Sequence, residues 1–279
     1  MCKILPIAPS TYYDTKARPP SARSLRDLEL EKEIIRVYEE NKCVYGVYKV
    51  YRRLKKEGIK IARCTVKRLM RKLGLSGVLR GKDKKTTIPS TNTSCSHDLV
   101  KRDFKPTFPN RLWVADITYV RTFLGFVYVA FIIDAFSRHI LGWQVSNTLR
   151  SDLALDALEM AIFKRGRDKL KNLIHHSDRG VQYMSIRYTN RLEQAGISIS
   201  VGSKGDAYDN ALAETINGLY KTEVVRKRGL FKNQDEVELA TLDWVDWFNN
   251  RRLLGPIGYI PPVEYEEIYY TNRVEADAA

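Results

Sequence analysis

The feature that most limits the possible folds is an apolar, strand-like run that carries a carboxylate in its middle. Residues 113–120 are apolar, aromatic or β-branched except for Asp116, which has apolar neighbours on both sides. A carboxylate buried in a strand is costly unless it is paired or binds a cation. The run therefore predicts a strand whose one acidic side chain has a partner or a ligand.

Strand and helix patterns alternate in the rest of this half of the chain. The predicted strands are Leu112–Thr122, Phe126–Asp134, Arg138–Val145, Asn172–Ser177 and Ile197–Val201. The predicted helices are Ser151–Phe163, Ile186–Gln194, a helix that carries Glu214, and Asn233–Asn249. The first three strands read as a meander, and helices and strands then alternate. Periodicity alone indicates a mixed α/β fold.

Two further carboxylates stand out by their position. Asp178 directly follows the strand that ends at Ser177, in a turn that contains Gly180. Functional sites of α/β folds gather at the carboxyl ends of strands. Glu214 lies on a predicted helix, and 35 residues separate it from Asp178. Taken singly, Asp178 could be a turn or cap residue, and Glu214 could pair with a basic neighbour.

The helix around Glu214 is predicted to be amphipathic. Positions spaced i, i+4, i+7 and i+11 share one helical face. That polar face comprises Asn210, Glu214, Asn217 and Lys221. The opposite face is predicted to be apolar and to comprise Leu212, Ile216 and Leu219. The helix should thus present a carboxylate and an ammonium on the same side.

Three carboxylates on three elements suit phosphoryl transfer assisted by divalent metal ions. Mg²⁺ takes few protein carboxylates and completes its shell with water and phosphate oxygens. Two such ions, about 3.5–4 Å apart, can activate an attacking oxygen and stabilise a leaving one. The sequence offers no Gly-x-Ser-x-Gly motif, Walker loop or Cys/His pairing as an alternative centre.

At this point the chain resembles a known family. The matching segments are residues 113–118, residues 176–183 and residues 209–214, with Lys221 seven residues after the glutamate. They resemble the catalytic protein, often called OrfB, of the IS-three family of insertion-sequence transposases, within the retroviral-integrase-like DDE superfamily. The resemblance covers nearly the whole chain. Asn217 and Tyr220 are less typical of that family.

The resemblance implies both a fold and an activity. The fold would be a ribonuclease-H-like integrase catalytic core, a mixed five-stranded sheet with helices, preceded by a small helical helix-turn-helix domain. The enzyme would cleave DNA with water at the ends of its element and then join the exposed 3′ hydroxyl to another phosphodiester. Asp116, Asp178 and Glu214 would be catalytic and would hold Mg²⁺ or Mn²⁺, two ions per site. Lys221 would contact the DNA backbone.

The resemblance also implies partners. These are transposon-end and target DNA, further copies of the chain on that DNA, and an upstream-frame helix-turn-helix protein to which the active enzyme is commonly fused. We therefore expect that this chain does not transpose autonomously, and that it acts in the bacterial cytoplasm at the nucleoid.

Positive charge is concentrated in the first third of the chain. Residues 1–105 hold 26 Lys and Arg against 11 Asp and Glu, whereas residues 106–279 hold 21 against 22. Such segregation favours a nucleic-acid partner.

Three helices are predicted in this first third of the chain: Leu25–Asn41, Tyr48–Glu57 and Thr65–Leu73. The last has a basic face that could bind DNA: Lys67, Arg68, Arg71 and Lys72. A three-helix bundle with a merely solvated basic face is the alternative.

The sequence suggests five segments. They are an irregular lead (1–23), a helix-turn-helix-like DNA-binding domain (24–75), a Ser/Thr/Pro-rich basic linker (76–110), the catalytic core (111–265) and a frayed tail (266–279). No apolar run approaches the about 20 residues of a membrane span, and the first residues do not read as a signal peptide. The four scattered cysteines suggest a reducing compartment.

Two other functions compete with this interpretation. A non-enzymatic DNA-binding regulator would need only the basic amino-terminal domain. A structure-selective, ribonuclease-H-like nuclease would use the carboxylates to cleave but would not join strands. Metal-dependent cleavage separates the first alternative from an enzyme, and strand joining separates the second from a transposase.

Overall fold

The computed structural model describes residues 8–79, 98–101, 103–202 and 210–278. The chain forms two units, Met1–Gly77 and Val78–Ala279. Most of the predicted basic linker, two of the four cysteines and the segment that precedes the Glu214 helix lie outside the described residues. The other two cysteines, Cys43 and Cys64, are free.

The first unit is helical. Its helices are α1 (Pro9–Ala17), α2 (Ala22–Glu40), α3 (Val47–Lys56) and α4 (Arg63–Lys72). The last three confirm the predicted helices within a few residues. Their apolar faces meet in a core that comprises Ile34, Val37, Val50, Leu54, Val66, Leu69 and Met70. The basic side chains of α4 remain outside this core.

The prediction of an irregular lead is wrong for α1. Pro9 occupies the first helical position, where its missing N–H has no helical partner to lose. Pro19 and Pro20 follow the end of the helix at Ala17, and the intervening Arg18 is already extended. The prolines thus delimit a short helix instead of preventing one.

The second unit is built on a mixed five-stranded sheet, which confirms that prediction. Its strands are β1 (Leu112–Thr122), β2 (Gly125–Asp134), β3 (Ile140–Ser146), β4 (Ile174–Ser177) and β5 (Ser198–Val201). The spatial order is β3-β2-β1-β4-β5. The first three strands form an antiparallel meander, and β4 and β5 continue the sheet in parallel with β1.

Helices cover both faces of the sheet. On one face, α5 (Ser151–Arg165) packs on β2 and β3, and α6 (Ile186–Gln194) completes the apolar core. The contact is close enough that a Cβ on Gly142 would collide with the carbonyl oxygen of Ala157. On the other face, Phe131 of β2 packs against the rings of Tyr220 and Trp244.

Those two rings belong to the helices of the second face. Tyr220 ends α7 (Ala211–Tyr220), which continues through a π-helical turn (Lys221–Val225) into the short α8 (Arg226–Arg228). Trp244 lies on α9 (Gln234–Asn250), whose buried residues also include Val237, Val245, Trp247 and Phe248.

The predicted frayed tail is instead the greater part of helix α10 (Pro262–Ala278). Glu266 is buried and accepts hydrogen bonds from Ser137 and Arg165. These partners lie more than 100 residues away along the chain, which explains why local sequence gave no sign of the contact. Within the described ranges, no helix has the length and apolarity needed to cross a membrane.

Candidate active site

The register of the sheet brings Asp116 and Asp178 together. Strands β1 and β4 run parallel, and Ala115 is paired with Ser177 at the last position of β4. Asp116 directly follows Ala115, and Asp178 directly follows Ser177, so the two carboxylates come next to this last pair. Asp116 is still inside β1, whereas Asp178 begins the turn after β4. Asp178 thus directly follows a strand, as predicted, and the pairing places it next to Asp116.

The carboxylate of Asp116 is held by two hydrogen bonds. The Ile117 backbone N–H donates to Oδ1 over 2.9 Å, and the Asn217 side-chain amide donates to Oδ2 over 2.8 Å. Desolvation raises the pKa of Asp116 to about 7, and the nearby charges of Asp178 and Glu214 act in the same direction. The two hydrogen bonds oppose this shift but do not cancel it.

Asp178 is more exposed and is oriented by its own turn. The Gly180 backbone N–H donates to Asp178 Oδ1 over 3.0 Å. A Cβ on Gly180 would lie 3.0 Å from that same oxygen and 3.2 Å from Gln182 Oε1. Because Gly180 has no Cβ, the space beside Asp178 Oδ1 stays open to a ligand.

Glu214 lies in the first turn of α7 and is exposed. Its charge contributes to the raised pKa of Asp116, so it lies on the same side of the sheet. Over the ranges that the structure describes, no three His, Cys, Asp or Glu side chains are close enough together to hold a metal ion. The structure thus brings together Asp116 and Asp178, with Glu214 nearby on a separate helix.

Helix α7 docks on β1 through two buried amides that the sequence did not reveal as site residues. Asn217 bonds Asp116, and Asn210 Nδ2 donates to the Ala115 carbonyl oxygen over 3.0 Å. That carbonyl lies where the pairing with β4 ends. The sequence signals were the placement of both amides on the same predicted helical face as Glu214 and the atypical position of Asn217.

The predicted faces of α7 are therefore partly wrong. Asn210 and Asn217 are buried against β1, and Leu212 and Leu219 are only half-buried. The buried face instead combines these amides with Ala213, Ile216 and Tyr220. The amides of Asn210 and Asn217 were predicted to face solvent, because helical periodicity cannot show that β1 supplies their hydrogen-bond partners.

An open cleft lies over Asp116 and Asp178. It is lined by residues of β1 and β2 and of the turn after β4: Asp116, Ile117, Thr118, Tyr119, Tyr128, Leu149, Asp178, Gly180, Gln182 and Tyr183. Burial raises the pKa of the Tyr183 hydroxyl well above its usual value, and Tyr188, Asp116 and Asp178 add to the shift. Tyr183 therefore stays protonated beside the two carboxylates.

The histidines of β4 are structural. His175 is fully enclosed, its Nε2 lies 2.9 Å from the Tyr188 hydroxyl, and burial lowers its pKa to about 3. His176 Nδ1 lies 2.9 Å from Ser200 Oγ on β5. Both side chains thus pack within the sheet region.

Lys221 begins the π-helical turn after α7 and is partly buried. Its Nζ lies 4.5 Å from the ring centroid of Tyr119, which lines the cleft. The nearest acidic candidate for a salt bridge, Glu223, is instead buried with Arg252 and Trp244. Lys221 thus lies beside a residue that lines the cleft and makes no ion pair with any residue in the described part of the chain.

The four residues of α4 that were predicted to bind DNA divide into two pairs. Arg68 contacts Asp27 at 2.8 Å and Lys72 contacts Glu31 at 2.6 Å, both across to α2. Lys67 and Arg71 are exposed and make no ion pair with any residue placed by the structure. Half of the predicted DNA-binding face is therefore already neutralised within the first unit.

Comparison with known proteins gives consistent matches along the chain. Residues 25–83 match the family described as HTH-like domain, and residues 106–207 and 195–262 match two families described as Integrase core domain. These matches confirm the predicted helix-turn-helix domain and catalytic-core fold.

Relatives extend over nearly the full length. The chain is 56% identical over 272 residues to a protein of insertion sequence element IS986/IS6110 from Mycobacterium tuberculosis, covering 96% of this chain and 98% of that protein. It is 53% identical over 284 residues to the transposase for insertion sequence element IS629 from Shigella sonnei, covering 100% and 94%.

A solved structure is similar in fold. It is a chain of the simian T-cell lymphotropic virus intasome in complex with PP2A regulatory subunit B56 gamma, determined by cryo-electron microscopy. The TM-score is 0.50 at 14% sequence identity, and the match covers 80% of this chain and 70% of that chain. At this identity the match supports the fold alone.

Proposed function

The chain belongs to the IS-three-like family of insertion-sequence transposases, and on that premise we propose that it cleaves and joins DNA strands at the ends of an insertion sequence. The observation that carries the proposal is the juxtaposition of Asp116 and Asp178 at the end of β4, with Glu214 on the helix docked beside them. In the first step water would attack a phosphodiester at the element's end and release a 3′ hydroxyl. In the second step that hydroxyl would attack a phosphodiester of another DNA strand and release that strand's own 3′ hydroxyl.

The donor set fits a divalent cation. The pKa of Asp116 is raised to about 7, partly because the neighbouring carboxylates repel its charge. A cation between them would offset this repulsion, and carboxylate oxygens are the ligands that Mg²⁺ and Mn²⁺ prefer. Asp116 and Asp178 would hold two such ions together with Glu214, whose exposed side chain on α7 would move towards them as the ions bind. When bound, the ions would activate the attacking oxygen and stabilise the leaving one.

The protein's own residues would orient the substrate. Asp116 is fixed by Ile117 and Asn217, so one carboxylate would already be aligned before DNA arrives. Lys221, beside a residue that lines the cleft, would contact a backbone phosphate as a point charge. The first unit would add sequence-independent affinity through Lys67 and Arg71.

The wider assembly follows from the same proposal. The substrates would be transposon-end DNA and target DNA, bound by several copies of the chain and by an upstream-frame helix-turn-helix protein, at the bacterial nucleoid. The names of the relatives favour a transposase over a regulator or a simple nuclease.

The test is to change each carboxylate separately in the full chain. Asp116→Asn, Asp178→Asn and Glu214→Gln should each reduce Mg²⁺- or Mn²⁺-dependent cleavage and joining of end-containing DNA by at least about a thousandfold. Loss of one acid weakens the metal site but leaves the basic surface unchanged, so DNA affinity measured in Ca²⁺ should change little.

Glu159→Gln on α5 is the control, because Glu159 pairs with Arg191 outside the cleft. It should retain activity. Near-normal strand transfer by Glu214→Gln would remove Glu214 from the proposed site, and cleavage without joining by the unmodified protein would favour the nuclease alternative.

A further inference from the structure

Tyr183 is a second kind of functional group in the cleft. It lies in the turn after Asp178 and lines the cleft together with Asp116 and Asp178. Its ring is 4% exposed and packs edge-to-face on Tyr188, with centroids 5.4 Å apart. The His175 ring lies on the same side, 6.4 Å away. This packing fixes the ring, and therefore fixes where the hydroxyl lies.

The hydroxyl of Tyr183 is buried yet makes no hydrogen bond with any group that the structure describes. A buried tyrosine hydroxyl normally finds a partner, because a buried donor left unpaired loses its hydrogen bonds to water without replacement. The neighbouring Tyr188 follows this rule, since its hydroxyl lies 2.9 Å from His175 Nε2. Tyr183 thus retains a polar atom that stability alone would not favour.

The electrostatic surroundings define what this hydroxyl can do. Burial raises the pKa of the Tyr183 hydroxyl well above its usual value, and the charges of Asp116 and Asp178 add to the shift. Negative charge disfavours a tyrosinate, so the group remains a hydrogen-bond donor. A donor beside two carboxylates suits a ligand that brings an acceptor oxygen, and a divalent cation would bring such oxygens in its coordination shell.

We propose that the Tyr183 hydroxyl donates a hydrogen bond to an oxygen that the divalent cation brings into the cleft beside Asp116 and Asp178. That oxygen belongs to a coordinated water or to a DNA phosphate. The inference rests on the proposed function, because it assumes the cation. Tyr183 would then be a substrate- or water-orienting donor of the site, in addition to the three carboxylates.

The structure offers a matched pair of variants. Tyr183→Phe and Tyr188→Phe each remove one hydroxyl from the same aromatic cluster without changing ring packing. Unfolding of the full chain is first followed without metal. Tyr183→Phe should be as stable as the unmodified protein or more so, because an unpaired buried donor is removed. Tyr188→Phe should be less stable, because it leaves His175 Nε2 without its partner.

Binding and activity then test the role. Tyr183→Phe should slow Mn²⁺-dependent strand transfer on end-containing DNA by about ten- to a hundredfold, the range for loss of a hydrogen bond to a charged group. Tyr188→Phe should retain transfer at temperatures where it is folded. If the oxygen is a coordinated water, Tyr183→Phe should also weaken Mn²⁺ binding without DNA. If it is a phosphate oxygen, only DNA binding in Ca²⁺ should weaken.

Two results would overturn the inference. One is wild-type transfer, Mn²⁺ affinity and DNA affinity in Tyr183→Phe. The other is a loss of metal-free stability in Tyr183→Phe equal to that of Tyr188→Phe, which would make the hydroxyl structural. Mn²⁺ binding is measured whether or not the protein cleaves DNA, so failure of this inference is distinguishable from failure of the proposed function.

Discussion

At the scale of single residues, the site depends on how one carboxylate is held. Asp116 is placed by β1, but the direction of its oxygens is set by Asn217, a residue of α7 that is 6% exposed. The same bond joins the helix that carries Glu214 to the strand that carries Asp116. One amide thus orients the first acid and positions the helix of the third.

We expect Asn217→Leu to reduce strand transfer by about 10- to 100-fold, the usual effect of removing a residue that orients a metal ligand. The leucine keeps the buried volume, but Asp116 Oδ2 loses its donor. The Mn²⁺ concentration that gives half-maximal activity should rise. Thr215→Val on the exposed side of α7 is the control, and an equal loss in both variants would contradict a specific role for Asn217.

At the scale of elements, helix α10 completes the end of the sheet remote from the cleft. Glu266 lies 2.5 Å from Arg165 of α5, and Arg165 also lies 3.7 Å from the buried Asp134 of β2. Burial would raise the pKa of Glu266, but the neighbouring His139, 3.4 Å away, and the hydrogen-bonded Arg165 lower it to about 2. Asp134 shifts the other way, since burial raises its pKa to about 6.

We expect Glu266→Gln to lower the free energy of unfolding by about 3 kcal/mol at pH 7, because it breaks a buried ion pair. The folded-state pKa of about 2 lies below the ordinary 4.5. The stabilisation is therefore complete above about pH 4.5 and is lost as the pH falls towards 2. Urea unfolding at pH 7 and at pH 3 should show the difference between variant and wild type shrinking with acid. A difference independent of pH would contradict this assignment.

The π-helical turn after α7 gives Lys221 its position. We expect Lys221→Ala to weaken crosslinking to end-containing DNA and to reduce strand transfer, with metal affinity unchanged, because Lys221 lies beside a residue that lines the cleft, without a carboxylate partner in the described ranges. Lys221→Arg should keep part of the activity, because the charge is retained but its geometry differs. Tyr119→Phe keeps the ring beneath Lys221 and serves as control. Wild-type transfer by Lys221→Ala would make it an ordinary surface lysine.

The sequence predicted those elements whose signal lies within the element itself, and it did not predict contacts between residues that are far apart along the chain. The apolar run of β1, the turn after β4 and the stripe of α4 each specify their own element, so strands and helices were predicted closely. The partners of Asn217 and Glu266 lie 101 residues away or more. No periodicity encodes such pairs, which is why the buried face of α7 was partly mispredicted and α10 was taken for a tail.

At the scale of the whole molecule, charge and chemistry are separated along the chain. The excess of Lys and Arg lies before residue 106, and the proposed carboxylate site lies after it. Affinity for DNA and catalysis should therefore respond to different substitutions. Ion pairs to α2 hold Arg68 and Lys72 but not Lys67 and Arg71. The two pairs of residues should therefore contribute differently to DNA affinity.

We expect Lys67→Ala and Arg71→Ala each to reduce the slope of log affinity against log salt by about 0.9 on duplex DNA, one phosphate contact each. Arg68→Ala and Lys72→Ala should reduce it less, because Asp27 and Glu31 already neutralise those charges. Salt titrations of the four variants of the full chain provide the measurement. Equal reductions in all four would show that the ion pairs open on DNA.

Those ion pairs also determine how the protein can change over generations. One base substitution turns any aspartate codon into an asparagine codon and any glutamate codon into a lysine codon. Either change, at Asp27 or at Glu31, would release a cation on the proposed DNA-binding face without altering a basic residue. If this face binds DNA as proposed, tighter binding would be a single mutational step away, and that step would leave the carboxylates of the cleft unchanged.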